Sequence, residues 1–186
     1  MDEGWTTAFE NLIVKNDLGE VQANTMFKQF RVTGWAKNPS ASSDLPIITA
    51  GDSLVGAAIG HNQYGKAAVA YLALRDLLGD AEFKKCLLEF MNRWNGKHPL
   101  PWDMFNTFNN VSGKDLNWFF QSWFFSNGYI DLAVENVTAT DKGFSVTLKN
   151  IGGFVAPVNF VVKYEDGSTE KIHQTPYIWS KNQSSA

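Results

Sequence analysis

The hydrophobic pattern changes its period at Asn127-Gly128, and this change constrains the fold more than any other feature of the sequence. Before it, apolar residues recur every three to four positions, which is typical of helices that bury one face. After it, apolar and polar residues alternate, which is typical of strands. The sequence therefore predicts an α+β fold in two parts: a mostly helical lobe over residues 1–128 and a small antiparallel β-sandwich over residues 129–186.

Glycines, prolines and apolar spacing delimit the helices of the first part. Gly19 and Gly79 act as stop signals, Asp80 is a candidate cap, and Pro101 suits a first helical turn. Residues 34–63 are rich in Asn, Pro, Ser and Gly and predict a long connection, which usually lines a site when it is ordered. We expect helices over residues 5–13, 21–30, 64–78, 81–96, 101–109 and 115–125.

The second part contains four short alternating runs separated by turn residues. We expect strands over residues 130–134, 144–148, 158–164 and 169–173. Four short strands at such spacing are typical of an antiparallel sandwich. A region this short makes a thin sandwich, so we expect it to be incomplete.

Composition excludes several classes of function. The 186 residues carry 16 Lys+Arg and 19 Asp+Glu, and this mild acidity argues against nucleic acid as a partner. No apolar stretch approaches the ~20 residues that a membrane span needs. Cys86 is the single cysteine, which excludes an internal disulfide and predicts a buried, inert thiol. The three histidines, at 61, 98 and 173, lack the spacing of zinc ligands, and we expect ordinary surface or loop positions.

Two glutamates near the first residue are candidates for chemistry. Glu3 and Glu10 are seven residues apart, so on a helix they share a face. One interpretation is that they only favour the helix dipole. The other is that the first carboxylate binds a metal and the second orients a metal-bound imidazole.

Three motifs resemble one family of enzymes. The run from Asp2 to Thr7, followed by Glu10, resembles the third-ligand segment of the gluzincin aminopeptidases, the group of aminopeptidase N and leukotriene-A hydrolase. The run from Tyr64 to Ala67 is similar to that family's Tyr-x-Lys-Gly/Pro motif. Residues 103–124 resemble the signature that closes its catalytic domain. The three motifs stand in the family's order.

The resemblance implies specific roles and a specific context. The chain would be the C-terminal lobe of a thermolysin-like catalytic domain with the start of the following β-domain, and its substrate would be a peptide. Glu3 would be the third ligand of a Zn²⁺ ion, Glu10 would contact a zinc-binding histidine, and Tyr64 would stabilise the oxyanion of the tetrahedral intermediate. The family includes cytosolic and exported members, so the resemblance leaves localisation open.

The sequence departs from the family by lacking H-E-x-x-H, the source of two zinc histidines and the general base. We therefore expect a fragment that is inactive by itself and does not hold zinc alone. We also expect an exposed apolar surface through which the fragment self-associates. The alternative is a non-catalytic scaffold or pseudoenzyme in which an immunoglobulin-like module binds a partner. Convergence of Glu3, Glu10 and Tyr64 on one concave face would favour the enzyme.

Overall fold

The computed structural model of the chain describes residues 2–37, 44–141 and 143–186. Its first part is helical, as expected. Two π-helical segments, Lys28–Val32 and Ile59–Lys66, run directly into the α-helices that follow them. The α-helices are α1 Asp2–Leu18, α2 Glu20–Phe27, α3 Thr33–Lys37, α4 Ala67–Leu78, α5 Asp80–Trp94, α6 Pro101–Ser112 and α7 Asn117–Phe125.

The prediction of a long connection between residues 34 and 63 was wrong at both ends. Helix continues through Gly34 to Lys37, and the helix that carries Tyr64 begins at Ile59 rather than at the tyrosine. The reason is packing: a Cβ atom on Gly34 would lie 3.0 Å from Nε2 of His61, so the small residue marks a close contact between helices. His61 is therefore helical, not a loop residue, and residues 38–43 of the predicted connection lie outside the described residues.

Other helix boundaries differ from the predicted ones by a few residues. Gly19 and Gly79 have φ values of 86° and 77°, a left-handed backbone that suits a glycine where a helix ends. Asp80 is the first residue of α5 rather than its cap, which is Gly79, and the Asp80 carboxylate accepts a hydrogen bond from Arg75 at 2.8 Å. Helix α7 begins at Asn117, two residues later than expected.

The core of the helical lobe is aromatic. The ring centroid of Phe105 lies 4.5 Å from that of Phe120 and 5.1 Å from that of Phe124. Cys86 is fully buried beside this cluster, as predicted, and its Sγ donates to the Phe108 carbonyl oxygen at 3.9 Å. Burial raises the pKa of the Cys86 thiol to about 11, which keeps it protonated and unreactive.

The four predicted strands form and pair as two antiparallel hairpins. Strand β1, Leu132–Thr140, pairs with β2, Gly143–Asn150, and β3, Val158–Lys163, pairs with β4, Thr169–Gln174. A bulge interrupts the first hairpin between Val134 and Asn136. The structure thus has a helical lobe followed by a small β region.

The surface carries many large apolar side chains. Val21, Phe144 and Phe30 expose 82%, 76% and 68% of their surface. Self-association through such residues stays a prediction. Within the described ranges, no helix combines the length and apolar character that crossing a bilayer requires.

Candidate active site

Glu3 and Tyr64, 61 residues apart in sequence, come together in the structure. Glu3 lies half-buried in the first turn of α1, and Tyr64 lies in the π-helical segment that precedes α4. The charge of the nearby Glu3 carboxylate, together with burial, raises the pKa of the Tyr64 hydroxyl. The phenol therefore stays protonated at neutral pH.

Aromatic packing between the two helices fixes this contact. Trp5, two residues after Glu3, stacks on Tyr71 of α4 with ring centroids 3.7 Å apart and an interplanar angle of 11°. Tyr71 is 1% exposed and lies two turns beyond Tyr64 along the same helical run. Because both ends of the contact belong to rigid packed helices, the carboxylate and the phenol are held together without a flexible loop.

Glu10 reaches the same region through a residue that the sequence did not single out. Its Oε2 atom accepts a hydrogen bond from Nη2 of Arg31 at 2.8 Å. The Cζ atom of Arg31 in turn lies 5.9 Å from the centroid of the Tyr64 ring, a cation–π distance. The positive charge of Arg31 lowers the pKa of Tyr64 and so opposes part of the effect of Glu3.

The surface beside Tyr64 is concave. A hollow of about 320 Å³ is lined by Tyr64, Arg31 and His61, together with Gln29, Phe30, Gly34, Trp35 and Gly60. Nδ1 of His61 is buried there without a hydrogen-bond partner among the described residues. Tyr64 and Arg31 thus face one depression, while Glu10 lines the adjoining one with Arg31.

The ligand inventory of the described residues is short. Residues 2–37, 44–141 and 143–186 hold no group of three or more His, Cys, Asp and Glu side chains placed to bind a metal. His173, far from Glu3 in sequence, is engaged with Asp76 of α4 at 2.9 Å. Catalytic zinc takes three protein ligands and a water, so Glu3 fits such an ion as one ligand of a set.

Sequence comparison identifies the first two thirds of the chain. The family model described as "Peptidase family M1 domain" matches residues 1–123. None of the curated proteins matches the chain.

Comparison of structures shows a shared fold. The crystal structure of Legionella pneumophila aminopeptidase A in complex with aspartic acid matches with a TM-score of 0.52 and 20% sequence identity. The match covers 89% of this chain and 20% of that one, so this chain spans about a fifth of that protein's length.

Proposed function

Because this chain belongs to peptidase family M1, we propose that it supplies one zinc ligand and one oxyanion-stabilising phenol to a zinc aminopeptidase. The substrate is a peptide, cleaved at its N-terminal bond. Glu3 binds the metal, and the other ligands and the general base come from polypeptide outside this sequence. Residues 1–128 form the helical lobe of the catalytic domain, and residues 129–186 begin a β-domain. The approach of the Glu3 carboxylate to the Tyr64 phenol, on two helices that meet at Gly4 and Ala67, is the observation that carries the proposal.

The chemistry needs a protonated phenol beside a metal-binding carboxylate. A bound zinc ion supplies an activated water and polarises the scissile carbonyl. Tyr64, with its raised pKa, donates a hydrogen bond to the carbonyl oxygen as negative charge develops there. Removal of one such donor costs about 10²–10³ in rate, so this contact is a large part of the catalysis.

Glu10 keeps the role of contacting a zinc-bound histidine in this proposal. Its ion pair with Arg31 holds the carboxylate through Oε2, and Oε1 is the oxygen that we assign to the imidazole. Arg31 then serves two contacts, because its guanidinium group also lies over the Tyr64 ring. A carboxylate that orients a metal-bound histidine typically affects metal affinity by about 10–100-fold.

Substitutions in a longer polypeptide that contains this sequence test the proposal. We expect Glu3→Gln to lose bound zinc and hydrolysis of aminoacyl-arylamides together. Tyr64→Phe should keep zinc and lose about 10²–10³ in kcat. Asp17→Asn, an exposed carboxylate later on α1, is the matched control and should change neither. Zinc content and kcat of the Glu3→Gln variant equal to the parent's would contradict the proposal.

One further observation separates the enzyme from a non-catalytic scaffold, and a second tests the ligand assignment. An H-E-x-x-H sequence roughly eighteen residues before Glu3 in the gene supports the enzyme, because the family places its histidines on that preceding helix. The 186-residue chain alone, with added zinc, should hydrolyse no aminoacyl-arylamide. Zinc-dependent hydrolysis by this chain alone would show that the ligand assignment is wrong.

A further inference from the structure

Lys66 is a fully buried cation two residues beyond Tyr64. Its side chain is 0% exposed, and its ammonium group donates to Oδ1 of Asp44 at 2.5 Å and to the carbonyl oxygen of Leu45 at 2.9 Å. The ammonium group also lies 5.3 Å from the centroid of the Phe154 ring. One side chain thus ties the Tyr64 helix to residues 44–45 and to the segment before β3.

Asn62 bonds the backbone of Leu45, the residue whose carbonyl oxygen also accepts from Lys66. The backbone N–H of Leu45 donates to Oδ1 of Asn62 at 3.2 Å, and Nδ2 of Asn62 donates to the carbonyl oxygen of Ala58 at 3.0 Å. Asn62 is 0% exposed. The backbone N–H and C=O of Leu45 are therefore clamped by two buried side chains, Asn62 and Lys66, that stand two residues before and two residues after Tyr64.

A buried ion pair is a poor source of stability. Burial lowers the pKa of Lys66, and the Asp44 carboxylate opposes that shift, so desolvation offsets much of the attraction. Packed apolar side chains of similar volume often give equal or greater stability. The ion pair between Lys66 and Asp44 instead fixes orientation, because hydrogen bonds set the relative placement of their partners more closely than apolar contacts do.

We propose that Asp44, Asn62 and Lys66 are positioning residues for Tyr64. Asn62 and Lys66 clamp Leu45, Asp44 holds the Lys66 ammonium group, and together they fix the rotation of the π-helical segment that presents the phenol. None of the three is assigned a contact with the substrate. The proposal rests on the proposed function only for the claim that the placement of the Tyr64 phenol affects the rate of peptide hydrolysis.

A double substitution separates position from stability. In Asp44→Leu/Lys66→Met, the ion pair is replaced by apolar side chains, and we expect a melting temperature within about 5 °C of the parent's. The chain is labelled with 3-fluorotyrosine, and the ¹⁹F resonance of Tyr64, one of five tyrosines, is identified by its loss in Tyr64→Phe. We expect this resonance to shift or split by more than its linewidth at fixed pH, while the other four stay in place.

The matched control is Lys15→Met, which breaks the exposed ion pair with Glu20 and should leave the Tyr64 resonance unchanged. Asp44→Asn, which keeps an acceptor oxygen, should give a smaller shift than the double substitution. A folded double variant with an unmoved Tyr64 resonance would overturn the proposal. A double variant that does not fold would overturn it too, because the pair would then hold the fold rather than the phenol.

Kinetics of the longer enzyme extend the test. The double substitution should lower kcat by roughly 10²-fold with KM within about twofold, as expected for a misplaced catalytic group. A moved resonance without any parent activity would leave the positioning intact and reject the proposed function. An unmoved resonance with a lowered kcat would reject the positioning alone.

Discussion

The Cβ atom of Ala67 occupies the space in which a side chain on Gly4 would begin: a Cβ atom built on Gly4 would lie 2.5 Å from it. Gly4 directly follows Glu3, and Ala67 is three residues beyond Tyr64. Helices α1 and α4 therefore meet between the two motifs, and this meeting point sets the separation of the carboxylate from the phenol. A family-type glycine at position 67 would leave this space unfilled.

Substitution of Gly4 by alanine should separate the two helices. Overpacking typically costs about 1–3 kcal/mol, and the helix propensity of alanine returns up to ~1 kcal/mol. We therefore expect Gly4→Ala to lower the free energy of unfolding by about 1–2 kcal/mol. Ala67→Gly removes the colliding methyl group, so the double variant should be more stable than the sum of the single effects predicts. If the effects of the two substitutions on the free energy of unfolding in urea are additive, Gly4 and Ala67 are not in contact.

Gly65 and Gly60 give a matched pair on one helical segment. A Cβ atom on Gly65 would overlap the backbone carbonyl oxygen of Arg31, and backbone cannot move aside as a flexible side chain can. Gly60 has open space around it to 4 Å. We expect Gly65→Ala to cost about 3 kcal/mol and Gly60→Ala to be neutral or stabilising by up to ~1 kcal/mol. Equal midpoints of urea unfolding for the two variants would show that Gly65 does not pack closely against the backbone of Arg31.

The motifs predicted the contact partners but not how the contact is held. Glu3 and Tyr64 were named from short motifs, and the structure places them together. Arg31 was missed because it lies 21 residues from Glu10 and belongs to no motif, so nothing local relates the two. The charged residues of α2 and of the π-helical segment that contains Arg31 have the spacing of any solvated helix face.

The buried clamp at Leu45 could not be predicted for a different reason. Asp44 lies in a stretch whose composition indicated a loop, and lysines such as Lys66 are almost never fully buried unless paired. The boundaries of the π-helical segments were missed because Gly34 and Gly60 are read as helix breakers. In the folded chain, Gly34 and Gly65 are instead where helices approach closely. Local propensity was overridden by packing between distant segments.

The Cys86 thiol should react far more slowly in the folded chain than in the unfolded one. With a pKa of about 11 instead of the model-compound value of 9.0, the thiolate fraction at pH 8 is about 100-fold smaller. Because the folded state favours the protonated thiol, this contribution to stability is present below pH 9 and is lost as the pH rises through about 11. Reaction with Ellman's reagent at pH 8, with and without guanidinium, checks this prediction. Equal rates would mean that the thiol is accessible.

The β region and the helical lobe should unfold together, because one aromatic core joins them. Trp123 of α7 stacks on Phe154 with ring centroids 4.5 Å apart. Nε1 of Trp179, fully buried near the end of the sequence, donates to the carbonyl oxygen of Ala156 at 2.8 Å.

Trp179→Phe leaves that buried carbonyl unsatisfied and should cost about 1–3 kcal/mol. The control Trp102→Phe, at a residue 52% exposed, should stay within about 0.5 kcal/mol. Far-ultraviolet circular dichroism reports mainly the helices, and hydrogen exchange at the amides of β1–β4 reports the β region. If Trp179→Phe lowers the unfolding free energy of both by the same amount, the two parts form one cooperative unit. A loss confined to the β amides would show that the helical lobe folds independently of it.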